Sequence, residues 1–392
     1  MLNPHYISMD NTAFQHLVTQ QFPSLHDMVY VNHAAISPWP QVCCQAVQDF
    51  AAENCARGPM QASLWLQREK ALRKRVGMML NAPSVEDIAF LKNTTEGICM
   101  VANGVDWQAG DNIVSPWEEF ISNRVAWEVL QQRGVELRRV AIRDSDDPEG
   151  RLLDAMDART RVLTVSAVRW DDGFRLDLER LGRGCRSGSA LFFVDAIQQF
   201  GALRMDVQAC RIDAFCAGAH KWQMGPEGIA VFYCNENTRR SLFLSQHGWR
   251  MLDNPYRFAR PDLEPSVTAR RFEAGSPNTV GQAALHASLG LLNDIGLDEV
   301  QARVLNNTRR LIDGISAVPG LQLQSDHEPK RRSGIVSLKA LNTAPETLRR
   351  RLARLKVYVA VRGDAIRLSP HFYQDGPAIE NLLNALEDAI GP

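Results

Sequence analysis

The middle of the chain is patterned as short apolar runs separated by amphipathic stretches. From Ile88 onward the runs read IAFL, NIVS, ELRRVAI, RVLTVSAV, ALFFVD, DAFCAGA and IAVFYC. Apolar runs of this length, bounded by turn residues, predict strands. Helical patterns lie between them, so the expected architecture is α/β: a mostly parallel central sheet with helices on both faces. Ligands of such sheets bind beyond the carboxyl ends of the strands. Before Ile88 the pattern is helical, in NTAFQHLVTQQF, PQVCCQAVQDFAAENCA and a stretch from about Ala62 to Leu80. MVYVNHAAISPWP, between the first two, is broken by Pro38 and Pro40. After about residue 280 come two long helices, TVGQAALHASLGLLNDIG and DEVQARVLNNTRRLIDGISAV. GIVSLKA, the helix APETLRRRLARL, YVAV, AIRLSP and a last helix follow. The expected organisation is an N-terminal segment 1–25 packing with a smaller domain, a large domain 26–270, and a small α+β domain 271–392.

Composition narrows the class without naming a chemistry. The 392 residues are 45% hydrophobic and 23% charged, with 44 Lys+Arg against 45 Asp+Glu. That balance favours neither nucleic acid nor an anionic membrane as partner. No apolar run approaches a membrane span, and the N-terminus lacks an apolar core behind basic residues, so no signal peptide is expected and a cytoplasmic enzyme is the default. The eight cysteines show no CxxC pair and no ligand-like spacing with histidine, so neither a disulfide framework nor a metal site is expected. GRGCRSG, Gly182 to Gly188, resembles a dinucleotide fingerprint, but it follows a helical stretch and precedes a strand. The phosphate loop needs the reverse order.

The chemistry sits at the strand ends. IAFLKNTTE places Asn93, Thr94 and Thr95 between a strand and a helix, where unpaired N–H groups and the helix dipole favour an anion. Taken alone, the stretch also reads as an ordinary helix cap. ALFFVD runs straight into Asp195, a carboxylate that is costly to bury unless a cation or donors meet it. DAFCAGAHK delivers His220 and Lys221 to the end of the next strand, before the turn WQMGPEG. An anion site, a buried carboxylate and a lysine at one sheet edge match the needs of pyridoxal phosphate: an anchored phosphate, a protonated ring nitrogen and an amine to hold the aldehyde. Desolvation beside other cations lowers a lysine's pKa and frees its amine.

At these residues the sequence resembles the class V aminotransferase family, which includes cysteine desulfurases, isopenicillin-N-epimerase-like proteins and kynureninase. The resemblance runs from VNHAAISPWP to IRLSPHFY. It implies a fold-type-I PLP-transferase and a homodimer with active sites shared at the subunit interface. By it, Lys221 corresponds to the Schiff-base lysine, His220 to the histidine near the phosphate, and Asp195 to the pyridinium partner. Gln198 falls beside the phenolic oxygen, and Thr94 and Thr95 fall at the phosphate. Phe120, in EEFISN, stands where the family stacks a ring on the pyridine, and Trp170 where desulfurases hold an asparagine near the cofactor oxygen. Ser276, in FEAGSPN, matches the hydroxyl that reaches the partner subunit's phosphate. Arg367, in IRLSPHFY, matches the arginine that grips the substrate α-carboxylate, and Ala34 lies at the substrate.

Two departures shape the functional expectation. The family's serine two residues before His220 is Gly218 here. VYVAVRGDAIRLSPHFY also lacks the C-terminal loop in which desulfurases carry their catalytic cysteine, and no cysteine follows Cys234. The expectation is therefore a PLP enzyme acting at the α-carbon of an amino acid, aminotransferase-like, with epimerase or C–S lyase as the alternative and cysteine desulfurase activity improbable. A non-catalytic binding protein on the same fold is the reading from another class. His33, Trp39, Arg175, Trp249 and His371 are candidate side-chain selectors, each equally readable as a core or surface residue.

Overall fold

The computed structural model describes residues 11–257, 259 and 263–391. The first ten residues of the expected N-terminal segment lie outside them. All seven apolar runs form strands of one sheet, in the order 88–91, 230–234, 214–218, 191–195, 160–166, 112–116 and 136–140. From 214–218 to 136–140 every neighbour is parallel. The strand 230–234 runs antiparallel to both its neighbours. Strands 88–91, 112–116, 214–218 and 230–234 are buried along their whole length, which is why they read as continuous apolar runs rather than alternating ones. GRGCRSG lies within the Leu178–Ser187 helix and its C-cap, so it forms no phosphate loop.

The C-terminal unit is an antiparallel four-stranded sheet, in the order 360–362, 365–368, 336–340, 321–323. Its core joins Leu338, Leu352, Ile366, Leu368, Leu382 and Leu386. The helix Thr279–Ile295, which the sequence places beyond residue 270, packs instead with the large core: Leu285, Leu289 and Leu292 share a cluster with Phe192, Phe215 and Val231. The next helix, Leu297–Ala317, bridges the two cores, with Val300 and Val304 in one and Leu311 and Ile315 in the other.

The segment after the first helix ties the units together. Val29–Tyr30 pairs in parallel with Val357–Tyr358, and Asn32 bridges to Ser369. Phe14 and Phe22 pack edge-on against Phe372, and Phe22 stacks on Tyr373 at 3.9 Å. Across the units Arg331 forks onto Glu149 at 2.5 and 2.8 Å, a geometry that fixes direction as well as distance. Among the described residues no helix is long and apolar enough to cross a membrane.

His33 and His371 are buried in the seam, at ring-centroid distances of 6.1 and 5.4 Å from Trp222. His371 shares a hydrogen bond with the Trp222 carbonyl at 3.0 Å and accepts from the Phe372 N–H at 2.8 Å. Burial lowers its pKa to about 4, against about 6.5 for an exposed imidazole. The folded state therefore binds fewer protons than the unfolded one. The stabilising difference is complete above about pH 6.5 and is lost as pH falls toward 4, at roughly 1.4 kcal/mol per unit. We expect urea-unfolding stability to drop between pH 6.5 and 4.5, with the His371 ring signal still that of a neutral imidazole at pH 5.5 by NMR. A ring that titrates near 6.5 contradicts this.

Candidate active site

Asp195 ends its strand fully desolvated, one strand away from the turn that carries Lys221. The Ile197 N–H donates to its carboxylate at 3.0 Å. Burial pushes the Asp195 pKa up to about 6, while that hydrogen bond and the charge of Lys221 pull it down. Burial lowers the Lys221 amine to about 8; Asp195 opposes the shift, and Arg367 and Arg362 add to it.

A tight turn presents the lysine. The Met224 N–H donates to the Lys221 carbonyl at 3.0 Å, and Met224 adopts φ +53 with its side chain fully buried. A non-glycine residue in that left-handed conformation costs about 1–2 kcal/mol, which the buried side chain helps to offset. On the other side Ser37 clamps the same turn: its N–H donates to the His220 carbonyl at 2.8 Å, and its hydroxyl donates to the Lys221 carbonyl.

The Asn93 turn opens the Thr94–Gly104 helix as a true cap, its side chain accepting from the Glu96 N–H at 2.9 Å. Thr94 is buried and accepts from the Gly218 N–H at 2.9 Å, which ties the helix start to the strand before Lys221. Gly97 allows this approach, because a Cβ there would lie 2.6 Å from Cys216. Thr95 is exposed, with its hydroxyl 3.0 Å from Ser122 Oγ. Gly218 has a reason of its own: a Cβ would come within 3.2 Å of both the His220 ring and Ile197. A side chain at 218 would press on that ring, which would have to shift by a few tenths of an ångström.

Above this floor, Phe120 and Trp170 meet edge to face at 5.7 Å, and the Lys221 ammonium lies 5.8 Å from the Phe120 ring. Arg367 is buried and donates Nη1 to the Trp170 carbonyl at 2.6 Å. Its Nε and Nη2 are buried and have no partner among the described residues. These two atoms form one edge of the guanidinium, the edge that receives a carboxylate bidentately.

Gln198 is largely committed. Its amide donates to the Ala34 carbonyl at 3.0 Å and accepts from the Trp222 indole at 2.9 Å, leaving one N–H for a ligand. Ala34 is further fixed by donating to Ser369 Oγ at 3.0 Å. Ser276 is exposed in a surface pocket of about 260 Å³ with Lys92, Glu96 and Asn278. Trp39 is exposed, Trp249 rests against Tyr256, and Arg175 donates to the Lys330 carbonyl at 3.0 Å.

Two charged residues at the site escaped the sequence reading. The Glu119 carboxylate binds the N–H and hydroxyl of Ser166, the register partner of Asp195. Burial, with the charge of Asp195 adding, pushes it up to about 7. The paired acids of WEEF beside Phe120 were the signal for it. Arg362, in VAVRGD, is the other.

Comparisons with known proteins give the family and the fold. The family model for aminotransferase class-V matches residues 29–370. This chain belongs to the aminotransferase class-V family. A relative named probable cysteine desulfurase, from Methanothermobacter thermautotrophicus, is 30% identical over 95% of this chain and 98% of its own. Among solved structures, a C-DES mutant with glycine covalently linked to its PLP cofactor superposes with a TM-score of 0.87 at 22% identity, over 94% of this chain and 99% of that one. The complex of the cystine C–S lyase C-DES with its product cysteine persulfide gives 0.86 at 24% identity, with the same coverage. These likenesses carry the expected fold: a class V, PLP-transferase α/β architecture.

They also overturn one expectation. A class V chain this similar to a desulfurase along its whole length does not support the view that desulfurase activity is improbable. The chain still carries no cysteine after Cys234.

The residues fit pyridoxal phosphate on this structure's own terms. A buried arginine edge lacks an anion, a desolvated carboxylate faces a site lysine, and that lysine's amine is shifted toward neutrality. Only the neutral amine attacks an aldehyde. The rate at which apoprotein captures PLP is therefore expected to climb about tenfold per pH unit and level off near pH 8. A rate still climbing past pH 9, as for an ordinary lysine of pKa about 10.4, contradicts the assignment to Lys221.

Proposed function

We propose that the chain is a pyridoxal-phosphate enzyme that cleaves the C–S bond of a cysteine-type amino acid. One observation carries the reading. The shifted Lys221 amine, the desolvated Asp195 and the open edge of Arg367 converge in a chain similar over 95% of its length to a probable cysteine desulfurase. The structural neighbour C-DES, a cystine C–S lyase, supports the same bond as the target.

In this reading Thr94, Thr95 and His220 would hold the cofactor phosphate and Asp195 the ring nitrogen. Phe120 and Trp170 would cover the ring, Gln198 would give its remaining N–H to the phenolic oxygen, and Lys221 would take the aldehyde carbon. Bound there, the cofactor supplies an electron sink for the pair released at the α-carbon. The residues do the rest. Arg367 grips the α-carboxylate with two parallel N–H···O bonds and so aims the α C–H. Lys221, with a pKa of about 8, keeps a useful neutral fraction near neutral pH and can take that proton at Nζ and return it. Asp195 keeps a proton on the ring nitrogen. Phe120 and Trp170 limit water at the reacting face.

The reading includes a homodimer in which Ser276 of one copy serves the phosphate of the other. Its exposed position in the pocket with Lys92 and Glu96, which flank the Thr94 turn, supports this. It also includes a cytoplasmic setting, which the eight unpaired cysteines favour.

Incubating the loaded protein with L-cysteine and with L-cystine tests the reaction. We expect equal amounts of sulfur and a three-carbon product from a species that sediments as a dimer: pyruvate and ammonia where the sulfur leaves as sulfide or, from cystine, as cysteine persulfide, and alanine where an added thiol takes the sulfur as its own persulfide. Transfer of the amino group to a keto acid with all sulfur retained overturns the C–S assignment. An active monomer overturns the shared site.

A further inference from the structure

Glu119 is a carboxyl beside the site that the reaction above leaves without a task. It is half-buried, and its carboxylate accepts from the N–H and the hydroxyl of Ser166. Neither donor is charged. Ser166 pairs with Asp195 across adjacent parallel strands, and the next N–H, that of Ala167, donates to the Asp195 carbonyl at 2.9 Å. Paired residues of neighbouring strands point to the same face, about 4.8 Å apart. Ser166 therefore brings a second acid to the flank of Asp195, and the charge of Asp195 is felt at Glu119.

The other charges around Glu119 are engaged. Glu118 accepts from the Ile142 and Arg143 N–H groups at 3.1 and 3.0 Å. Arg169 donates Nε to Asp172 at 2.8 Å and Nη2 to the same carboxylate, which Arg143 also meets at 3.0 Å. Arg169 Nη1 is buried with no partner among the described residues. Glu118, Glu119, Ser166, Arg169 and Trp170 share the lining of one cavity of about 10 Å³, the room of a single water. Two carboxyls flanking one serine resist carrying charge together, so the second to ionise is held back. The cofactor brings positive charge to this place, on the ring nitrogen at Asp195 and on the linkage to Lys221. A negative Glu119 favours both charges, and by reciprocity both favour a negative Glu119.

We propose that Glu119 is a positioning residue of the ring-nitrogen site: set beside Asp195 through Ser166, it supplies a second negative charge that holds the cofactor's positive charges in place. The proton it gives up passes to the water behind Trp170, which also accepts from Arg169 Nη1, and leaves without crossing the cofactor pocket. The same anchor holds Phe120, the next residue, over the ring. The inference rests on the reading of Asp195 above and is independent of which bond the enzyme breaks.

The cofactor's absorbance tests it without turnover. Loaded protein is titrated from about pH 6 to about pH 9, following the visible band that reports the charge of the lysine–cofactor linkage. Removing a nearby negative charge makes that positive charge easier to lose. Glu119→Gln, of the same shape, is therefore expected to lower the midpoint by about one pH unit, the scale of unit charges several ångströms apart in protein. Glu119→Asp should restore most of it. Equal midpoints in wild type and Glu119→Gln overturn the proposal, as does a shift that Glu119→Asp shares in full. Infrared difference spectra of the wild type need no variant. A buried carboxyl should lose its proton at about pH 7 before loading and at lower pH after it; the same pH in both also overturns it. Nitrogen-15 in the cofactor ring separates the two readings. An unprotonated ring nitrogen sinks the Asp195 role and this inference together. A protonated one, with the midpoint unmoved in Glu119→Gln, sinks this inference alone.

Discussion

The site depends on keeping two opposite charges out of water at neighbouring strand ends. Asp195 is desolvated and Lys221 partly so, and each is pushed by burial toward its neutral form while the other's charge resists the push. The result is a pair with pKa values near 6 and 8 rather than the ordinary 3.9 and 10.4. Such a pair is stable only in a rigid frame, since removing one partner leaves the other buried and uncompensated. The parallel register that sets Asp195 against Cys216 supplies that frame. The strained turn at Met224 and the Ser37 clamp hold the lysine side of it.

The small domain brings the cations that complete the site. Arg367 is anchored through the Trp170 carbonyl, and Trp170 belongs to the loop whose Gly173 carbonyl accepts from Ser333. Together with the Arg331–Glu149 fork and the segment 29–37, this makes the seam between the units a set of directed polar bonds around an aromatic cluster. A seam of that kind fixes the arginine relative to the lysine within the precision that a positioned carboxylate requires.

Much of this was legible because burial leaves a mark on sequence. Strands covered on both faces must be apolar throughout, so every run but the charged edge strand 136–140 stands out, and a charged residue ending such a run is conspicuous. Asp195 and Lys221 announce themselves for that reason, and Thr94 does so through the cap pattern of NTTE. What stayed hidden depends on contacts between distant segments. Nothing local distinguishes Ser37 from a loop serine, yet it holds the lysine turn. The helix Thr279–Ile295 has the same periodicity whichever core it faces, and packing alone assigns it to the large one. Glu119 sits in an ordinary polar turn and Arg362 at the end of a short strand, and their importance appears only when register places them beside Asp195 and Arg367. The absence of a cysteine after Cys234 was visible but over-read: a chain 30% identical over 95% of its length to a probable cysteine desulfurase does not support calling that activity improbable.

The central claim is that Lys221, desolvated beside Asp195, is the amine that holds the cofactor. Borohydride reduction of the PLP-loaded protein, followed by proteolysis and mass spectrometry, addresses it directly. The account predicts one reduced pyridoxyl group per chain, on the peptide containing Lys221, and none in Lys221→Ala. A label on Lys92, the lysine beside Ser276, or on any other lysine would contradict it.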